Sequence, residues 1–174
     1  MKRHAAFLRG VNPMNCRMAD LARAMEAAGF TGVKTVLSSG NVVFGATGTP
    51  RAIARKAEAA MQEHLGRSFL TIVRPVAALQ AMLEADPYRA FRLPAGAKRV
   101  VTFLAAAPAD APELPVRSDG ASMLRLEGLE LYSAYVPGPK AAAFMGVIER
   151  AFGKDVTTRT WDTVRKVCAA GQAD

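Results

Sequence analysis

The fold follows from one stretch near the start of the chain, Ala5-Ala6-Phe7-Leu8-Arg9-Gly10-Val11-Asn12. Its four apolar residues are typical of a buried strand, and the glycine and polar residues after them indicate that the strand ends there. A helical pattern begins soon afterwards, at about Met18. The stretch therefore predicts a strand end that opens into a helix N-terminus, where backbone amides lack acceptors within the helix.

Outward from this stretch, apolar spacing and turn residues predict alternating strands and helices. The predicted helices cover residues 18–28, 49–65 and 74–85, and the predicted strands cover residues 33–37, 42–44 and 69–73. Gly40-Asn41 between the first two of these strands is a two-residue hairpin signal. The resulting order, β-α-β-β-α-β, is the split βαβ arrangement of a ferredoxin-like sheet.

The second half of the chain partly repeats this order. It predicts strands at residues 98–104, 123–127, 129–135 and 155–158, with helices at 140–152 and 160–170 and a proline-rich segment, 107–116, in place of the first helix. We therefore predict an α+β fold of two ferredoxin-like (split βαβ) subdomains in tandem, residues 1–90 and 91–174, with mainly antiparallel sheets and helices packed on them. The duplication rests on element order, since the residues themselves do not visibly repeat.

Composition limits the class of protein. The chain has 174 residues, 51% of them hydrophobic, which is enough for one substantial core or two small ones. It contains neither an apolar run long enough to span a membrane nor a signal-peptide pattern, so we expect a cytoplasmic location. Cys16 and Cys168 lie far apart in sequence and form neither a C-x-x-C motif nor the disulfide framework of a secreted protein. This pattern is typical of a protein in a reducing compartment. With only two histidines, we predict no metal site, and no cofactor is predicted.

The net charge of +8 is unevenly distributed. Residues 1–100 contain 15 Lys or Arg against 6 Asp or Glu, whereas residues 101–174 contain 8 against 9. Such an excess can mark an anionic partner, nucleic acid above all. The alternative is a solvated basic surface without a partner, since basic residues never run beyond two in a row.

The split βαβ order also predicts where polar segments meet. Its first two strands are parallel, so residues 9–12, residues 38–41 and the helix start near Arg17 should lie at one edge of the sheet. Glycines let a ligand approach the backbone there, and arginines bind phosphate or carboxylate in a bidentate manner. The candidate ligand-binding residues at this edge are Arg9, Gly10, Asn12, Arg17, Ser39, Gly40 and Asn41. The simpler interpretation is that the glycines and Asn41 form turns and that Asn12 caps its loop.

Other candidate residues carry weaker signals. Cys16 lies at a helix N-terminus beside Arg17, where a thiol pKa can be lowered, although a bystander cysteine is the more common case. Arg159 precedes the last helix, and Lys140 follows a Pro-Gly-Pro turn before another helix, so both are candidates for binding an anion. Trp161 is a further candidate ligand-binding residue, although it shares a helical face with apolar residues, which favours packing. We find neither a Ser-His-Asp pattern nor paired catalytic carboxylates.

Several of these segments together resemble a known family. They are Leu8-Arg9-Gly10-Val11-Asn12, Met18-Ala19-Asp20-Leu21, Ser39-Gly40-Asn41-Val42-Val43-Phe44, Lys140 and Thr158-Arg159-Thr160-Trp161-Asp162-Thr163-Val164. In this order they resemble the bacterial family catalogued as domain of unknown function 1697. The resemblance implies a two-part α+β fold of ferredoxin-like character and no assigned activity. The residues that carry over best from the family are Arg9, Asn12, Ser39, Asn41, Lys140, Arg159 and Trp161.

The chain departs from the family pattern at Ser38, Thr160 and Asp162 and, most extensively, in one loop. The family usually has a glycine-rich loop with a lysine after the first asparagine, whereas this chain has Pro13-Met14-Asn15-Cys16-Arg17. Arg17 is therefore the local substitute for that lysine.

Three functions remain open at this level. The first is binding of a small phosphate-bearing ligand or of nucleic acid at the loop-rich edge. RNA recognition on the sheet would need exposed aromatic residues on the central strands, where the first and third strands offer only Phe7 and Phe44. The second is a small cytosolic enzyme acting on a phosphorylated or carboxylated substrate, with Arg9, Lys140 and Arg159 binding charge and Asp162 or Cys16 acting chemically. The third is a homodimeric interaction protein.

Overall fold

The computed structural model describes residues 1–173, which form two antiparallel sheets and five α-helices. The α+β prediction is thus confirmed. The elements up to residue 85 are β1 (Lys2–Leu8), α1 (Met18–Ala27), β2 (Thr31–Val36), β3 (Asn41–Ala46), α2 (Pro50–Leu65), β4 (Thr71–Pro75) and α3 (Val76–Ala85). A short 3-10 helix at Pro87–Ala90 follows, and then β5 (Lys98–Leu104), β6 (Val116–Ser118), β7 (Ala121–Glu127), β8 (Glu130–Tyr135), α4 (Ala141–Phe152), β9 (Val156–Thr160) and α5 (Trp161–Gln172).

The chain divides into two compact units. Unit 1 comprises Met1–Glu84 together with the chain from Val164 onwards, and unit 2 comprises Ala85–Thr163. Most of α5 therefore belongs to unit 1. In the part of the chain that the structure describes, no helix has the length and apolar character needed to cross a membrane.

The sheet of unit 1 has the strand order β2-β3-β1-β4, and every neighbouring pair is antiparallel. β1 lies in the interior of this sheet, with Ala5 opposite Val43 on one side and opposite Arg74 on the other. Because β1 and β2 are both antiparallel to β3, they run in the same direction. The C-terminal ends of β1 and β2 therefore lie at the same edge of the sheet.

Both faces of this sheet are covered. On one face, strand side chains including Leu8 and Phe44 pack against apolar residues of α1 and α2, such as Leu21, Met25 and Met61. Toward the other face, Phe7 and Val43 are also completely buried. Because side chains on both faces of β1 are buried, its sequence is a continuous apolar run and does not alternate between apolar and polar residues.

Local signals placed the ends of α2 correctly. Oγ1 of Thr49 accepts a hydrogen bond from the backbone N–H of Ala52 at 3.2 Å, and Pro50 occupies the first helical position. Gly66 ends the helix in the left-handed conformation, with φ of 72°. The predicted cap residues of this helix are confirmed.

The predicted two-residue hairpin at Gly40-Asn41 is wrong. Val36 pairs directly with Asn41, so the turn consists of residues 37–40 and Asn41 is the first residue of β3. Leu37 and Gly40 both have positive φ, of 60° and 85°. Strand register, which depends on partners beyond the turn, decided this length.

Strand pairing also moved the predicted boundary between β4 and α3. β4 begins at Thr71 and continues through Pro75, because Arg74 and Pro75 pair with β1, so α3 begins only at Val76. Pro75 is tolerated because β4 is an edge strand.

The second half of the chain also differs from its prediction. The proline-rich segment ends in the unpredicted edge strand β6, and α5 extends from Trp161 to Gln172.

Substitution of two helical glycines by alanine should change the free energy of unfolding in opposite directions. A Cβ on Gly171 would lie 2.6 Å from Cγ2 of Val76, whereas a Cβ on Gly146 would approach only the flexible end of Arg150, at 3.4 Å. We expect Gly171→Ala to lower the free energy of unfolding by about 1–3 kcal/mol through overpacking. Gly146→Ala should raise it by about 0.5–1 kcal/mol, because alanine favours the helix. Urea unfolding of both variants measures the two changes, and a Gly171→Ala variant as stable as the parent would contradict the packing.

Candidate ligand-binding site

The loop from β1 to α1, residues 9–17, is held by two asparagines. Oδ1 of Asn12 accepts hydrogen bonds from the backbone N–H groups of Met14 and Asn15, at 2.8 and 3.1 Å. In return, Oδ1 of Asn15 accepts the N–H of Asn12 at 3.0 Å, and its Nδ2 donates to the carbonyl of Gly10 at 2.8 Å. We call this segment the edge loop; its predicted residues Gly10 and Asn12 both take part in its internal hydrogen bonds.

The turn between β2 and β3 lies directly against the edge loop. The N–H of Leu8 donates to the carbonyl of Gly40 at 2.8 Å, and a Cβ on Gly40 would lie 2.8 Å from Cβ of Val11. Nδ2 of the buried Asn41 donates to the carbonyl of Val36 and to Oγ of Ser39, at 2.9 and 3.0 Å. The predicted residues Ser39, Gly40 and Asn41 thus support the turn that contacts the loop.

The fourth strand closes the same edge. The N–H of Arg9 donates to the carbonyl of Leu70 at 2.9 Å, and Leu8 pairs with Thr71. This pairing brings the end of α2 and the start of β4 beside the edge loop. Arg9 itself is half-buried and is not among the residues lining the cleft described next.

A cleft of about 380 Å³ opens between the edge loop and the end of α2, and we call it the α1 cleft. It is lined by residues 13–17, Asp20, Leu65 and Arg67. α1 begins here with Arg17 at its N-cap, and the Arg17 side chain makes no capping hydrogen bond. The cleft therefore meets the electropositive end of α1.

Arg67 was not identified from the sequence. It follows Gly66 at the end of α2, and its guanidinium carbon lies 4.8 Å from the ring centroid of Phe69. A signal was available, because in a split βαβ sheet the second helix ends at the edge where the first helix begins. Together, Arg17 and Arg67 give the α1 cleft two guanidinium groups.

The cleft also contains one carboxylate. Asp20 lies in the first turn of α1, and its Oδ1 forms an ion pair with Nη2 of Arg23 at 2.5 Å. An acidic residue in the first turn is favourable for the helix itself. Because Arg23 compensates this charge, the cationic character from Arg17 and Arg67 remains dominant.

The predicted residues of the second half lie in unit 2. Nζ of the exposed Lys140 lies 3.3 Å from Oδ1 of Asp119. Arg159 donates from Nη1 to Oγ1 of Thr157 at 2.8 Å and to the carbonyl of Thr158 at 2.9 Å, and burial lowers its pKa to about 10. Each of these two cations is thus engaged with groups of its own unit.

Trp161 is 2% exposed and packs against two tyrosines. Its ring centroid lies 5.0 Å from that of Tyr88 and 6.4 Å from that of Tyr132, edge to face in both cases. Burial raises the pKa of both tyrosines. The three rings form an interior cluster of unit 2, as expected for a packing role of Trp161.

Cys16 lacks the environment of a reactive thiol. Cys16 is 8% exposed, and its Sγ donates a hydrogen bond to the carbonyl of Arg17 at 3.7 Å. Burial raises the pKa of the Cys16 thiol, Asp20 adds to the rise, and Arg67 opposes it. The possibility of a lowered pKa is therefore not supported. Among residues 1–173, no three or more His, Cys, Asp or Glu side chains are grouped to hold a metal ion.

Alkylation tests this environment. Iodoacetamide should modify Cys16 at pH 7.5 more slowly than a free cysteine thiol, because burial blocks access and the raised pKa reduces the thiolate fraction. The rate should continue to rise with pH above the pKa of a free thiol. Peptide mapping by mass spectrometry separates Cys16 from Cys168, and the urea-unfolded chain is the control. Modification of the folded chain faster than the free thiol would contradict the assignment.

Comparison with known proteins establishes a family but no activity. No curated protein matches the chain. The structure of the conserved bacterial protein SP0830 from Streptococcus pneumoniae is similar, with a TM-score of 0.74, 19% sequence identity and 99% of each chain covered. At this identity the likeness concerns the fold alone. The model of the family described as protein of unknown function (DUF1697) matches residues 1–132, so the chain belongs to that family, as its sequence motifs predicted.

Proposed function

We propose that the chain binds a small phosphate-bearing ligand in the α1 cleft. The observation that carries the proposal is that Arg17 and Arg67 line one cleft at the N-terminus of α1, where the side chain of the N-cap residue Arg17 makes no capping hydrogen bond. A phosphate there would accept hydrogen bonds from first-turn amides and from the two guanidinium groups. Amides at a helix N-terminus and guanidinium groups both form stronger hydrogen bonds with an anion than with a neutral acceptor.

The rigidity of the edge loop supports this proposal. Asn12 and Asn15 fix the loop through reciprocal hydrogen bonds, and the N–H of Cys16 donates to the carbonyl of Asn12 at 3.1 Å. The backbone that precedes α1 is therefore ordered before any ligand arrives. Preorganised donors lose less conformational entropy on binding than flexible ones.

A small ligand is better supported than a nucleic-acid strand. Phe7 and Phe44 are both completely buried, so neither can stack a base on the sheet surface. The remaining argument for a polymer is the basic excess of residues 1–100. An enzyme that uses Cys16 as its nucleophile is also less well supported, because the pKa of that thiol is raised.

We also propose that the chain consists of two ferredoxin-like subdomains in tandem. The predicted division into residues 1–90 and 91–174 falls close to the start of unit 2 at Ala85, whereas the chain from Val164 onwards belongs to unit 1. Support comes from strand order: the unit 1 sheet runs β2-β3-β1-β4, and the unit 2 sheet runs β7-β8-β5-β9 with β6 added at its edge. Taken in chain order, the strands of the two sheets correspond. The connection from β5 to β6 occupies the place that α1 has in unit 1.

Arginine substitutions test the phosphate proposal. We expect the parent to bind phosphate-bearing ligands, and Arg17→Ala and Arg67→Ala each to weaken that affinity about tenfold or more, since each removes a charge-assisted hydrogen bond. Arg51→Ala is the matched control, because Arg51 is exposed on α2 and does not line the cleft. Titration calorimetry with inorganic phosphate and a series of sugar phosphates measures the affinities. No binding by the parent, or an equal loss in all three variants, would refute the site.

A salt series separates the small ligand from the polymer. Binding of a sugar phosphate should weaken only modestly between 50 and 200 mM salt, whereas a strand contacting many phosphates loses affinity by orders of magnitude. We therefore expect single-stranded RNA to bind no more tightly than the sugar phosphate at 200 mM salt. Tight RNA binding with a steep salt dependence, lost in Arg17→Ala, would favour the nucleic-acid alternative instead.

A further inference from the structure

A second and larger cleft lies at the opposite end of β1, also within unit 1. It has a volume of about 670 Å³, and we call it the β1–α5 groove. The starts of β1 and β2, the start of α3 and the end of α5 line it. The size is within the range of small-molecule sites, roughly 300–1,000 Å³.

The floor of the groove is apolar and closely packed. Pro75, Val76 and Ala77 line one side, and Gly171 of α5 lies so near Val76 that an added Cβ would be 2.6 Å from Cγ2 of Val76. Val76 is 5% exposed, whereas Ala77 is exposed at the groove surface. The apolar surface that a ligand can contact here is therefore mainly that of Pro75 and Ala77, with Val76 buried beneath it.

The groove also carries positive charge. Lys2, Arg3 and Lys34 line it, and its lining residues within the described chain include neither aspartate nor glutamate. Nζ of Lys34 donates to the carbonyl of Ala173 at 3.4 Å. Lys34 is thus engaged with the end of α5, and a ligand in this groove meets Lys2 and Arg3 beside an apolar floor.

Arg3 is held in place by backbone carbonyls. Its Nε donates to Gly171 at 3.3 Å, and its Nη1 donates to Thr31 at 3.4 Å and to Gly32 at 3.2 Å. Its Nη2 donates to no acceptor within residues 1–173. Carbonyl partners orient the guanidinium without neutralising it, so an anion that reaches Arg3 finds a fixed charge.

We propose that the β1–α5 groove binds an apolar carboxylate of the medium-chain fatty-acid class. The hydrocarbon chain lies on Pro75 and Ala77, and the carboxylate lies near Lys2 and Arg3. Charge complementarity selects the acid over a neutral amphiphile of the same length. Addition of a peptide strand is less suitable, because the edge strand β2 has an irregular register between Thr31 and Lys34.

Decanoate, below its micelle concentration, is the probe, and titration calorimetry on the full chain measures its binding. Decanol is the neutral control and should bind at least about tenfold more weakly, since it lacks the charged acceptor. Ala77→Trp fills the groove from an exposed position and should abolish binding. Lys2→Ala should weaken binding about fivefold, while Lys154→Ala, a matched exposed lysine of unit 2, should leave it unchanged.

Arg67→Ala is the control for the α1 cleft. This variant should bind decanoate as tightly as the parent, which separates this proposal from the one on phosphate binding. Circular dichroism and the melting temperature verify that each variant is folded. Absence of decanoate binding, equal binding of decanol, or unchanged binding in folded Ala77→Trp would each overturn the proposal. So would equal effects of Lys2→Ala and Lys154→Ala.

Discussion

Pairing of β1 on both sides is the constraint on which unit 1 depends. β3 and β4 supply its two antiparallel neighbours, and the side chains from His4 to Leu8 are buried without interruption. A strand so placed exposes only its ends. The α1 cleft follows its C-terminal end and the β1–α5 groove surrounds its start, so both candidate sites are consequences of one buried strand.

The basic residues of unit 1 serve two different purposes. Arg3 and Lys34 donate to carbonyls at the end of α5, where positive charge also interacts favourably with the helix dipole. Arg17 and Arg67 instead line the cleft at the start of α1. Four of the fifteen basic residues within residues 1–100 thus lie at helix ends.

Unit 2 uses the same strand order with a different interior. An aromatic cluster of Tyr88, Tyr132 and Trp161 packs inside it, and the hydroxyl of Tyr88 donates to the carbonyl of Val100. Hydroxyl groups also pair across two strands, where Oγ1 of Thr102 lies 2.7 Å from Oγ1 of Thr158. Thr158, a polar residue of the family motif, is therefore engaged in holding β5 against β9.

The sequence by itself determined the α+β class, the order of the elements up to α3 and the caps of α2, because helical periodicity, Thr49-Pro50 and Gly66 act within a few residues of where they stand. It also indicated which segments form the edge of the first sheet. Only the tertiary structure decided that Asn41 begins β3, that Arg67 joins Arg17 in one cleft, and that Arg3 meets the end of α5. These features depend on strand register and on contacts between residues distant in sequence, and neither leaves a local pattern along the chain.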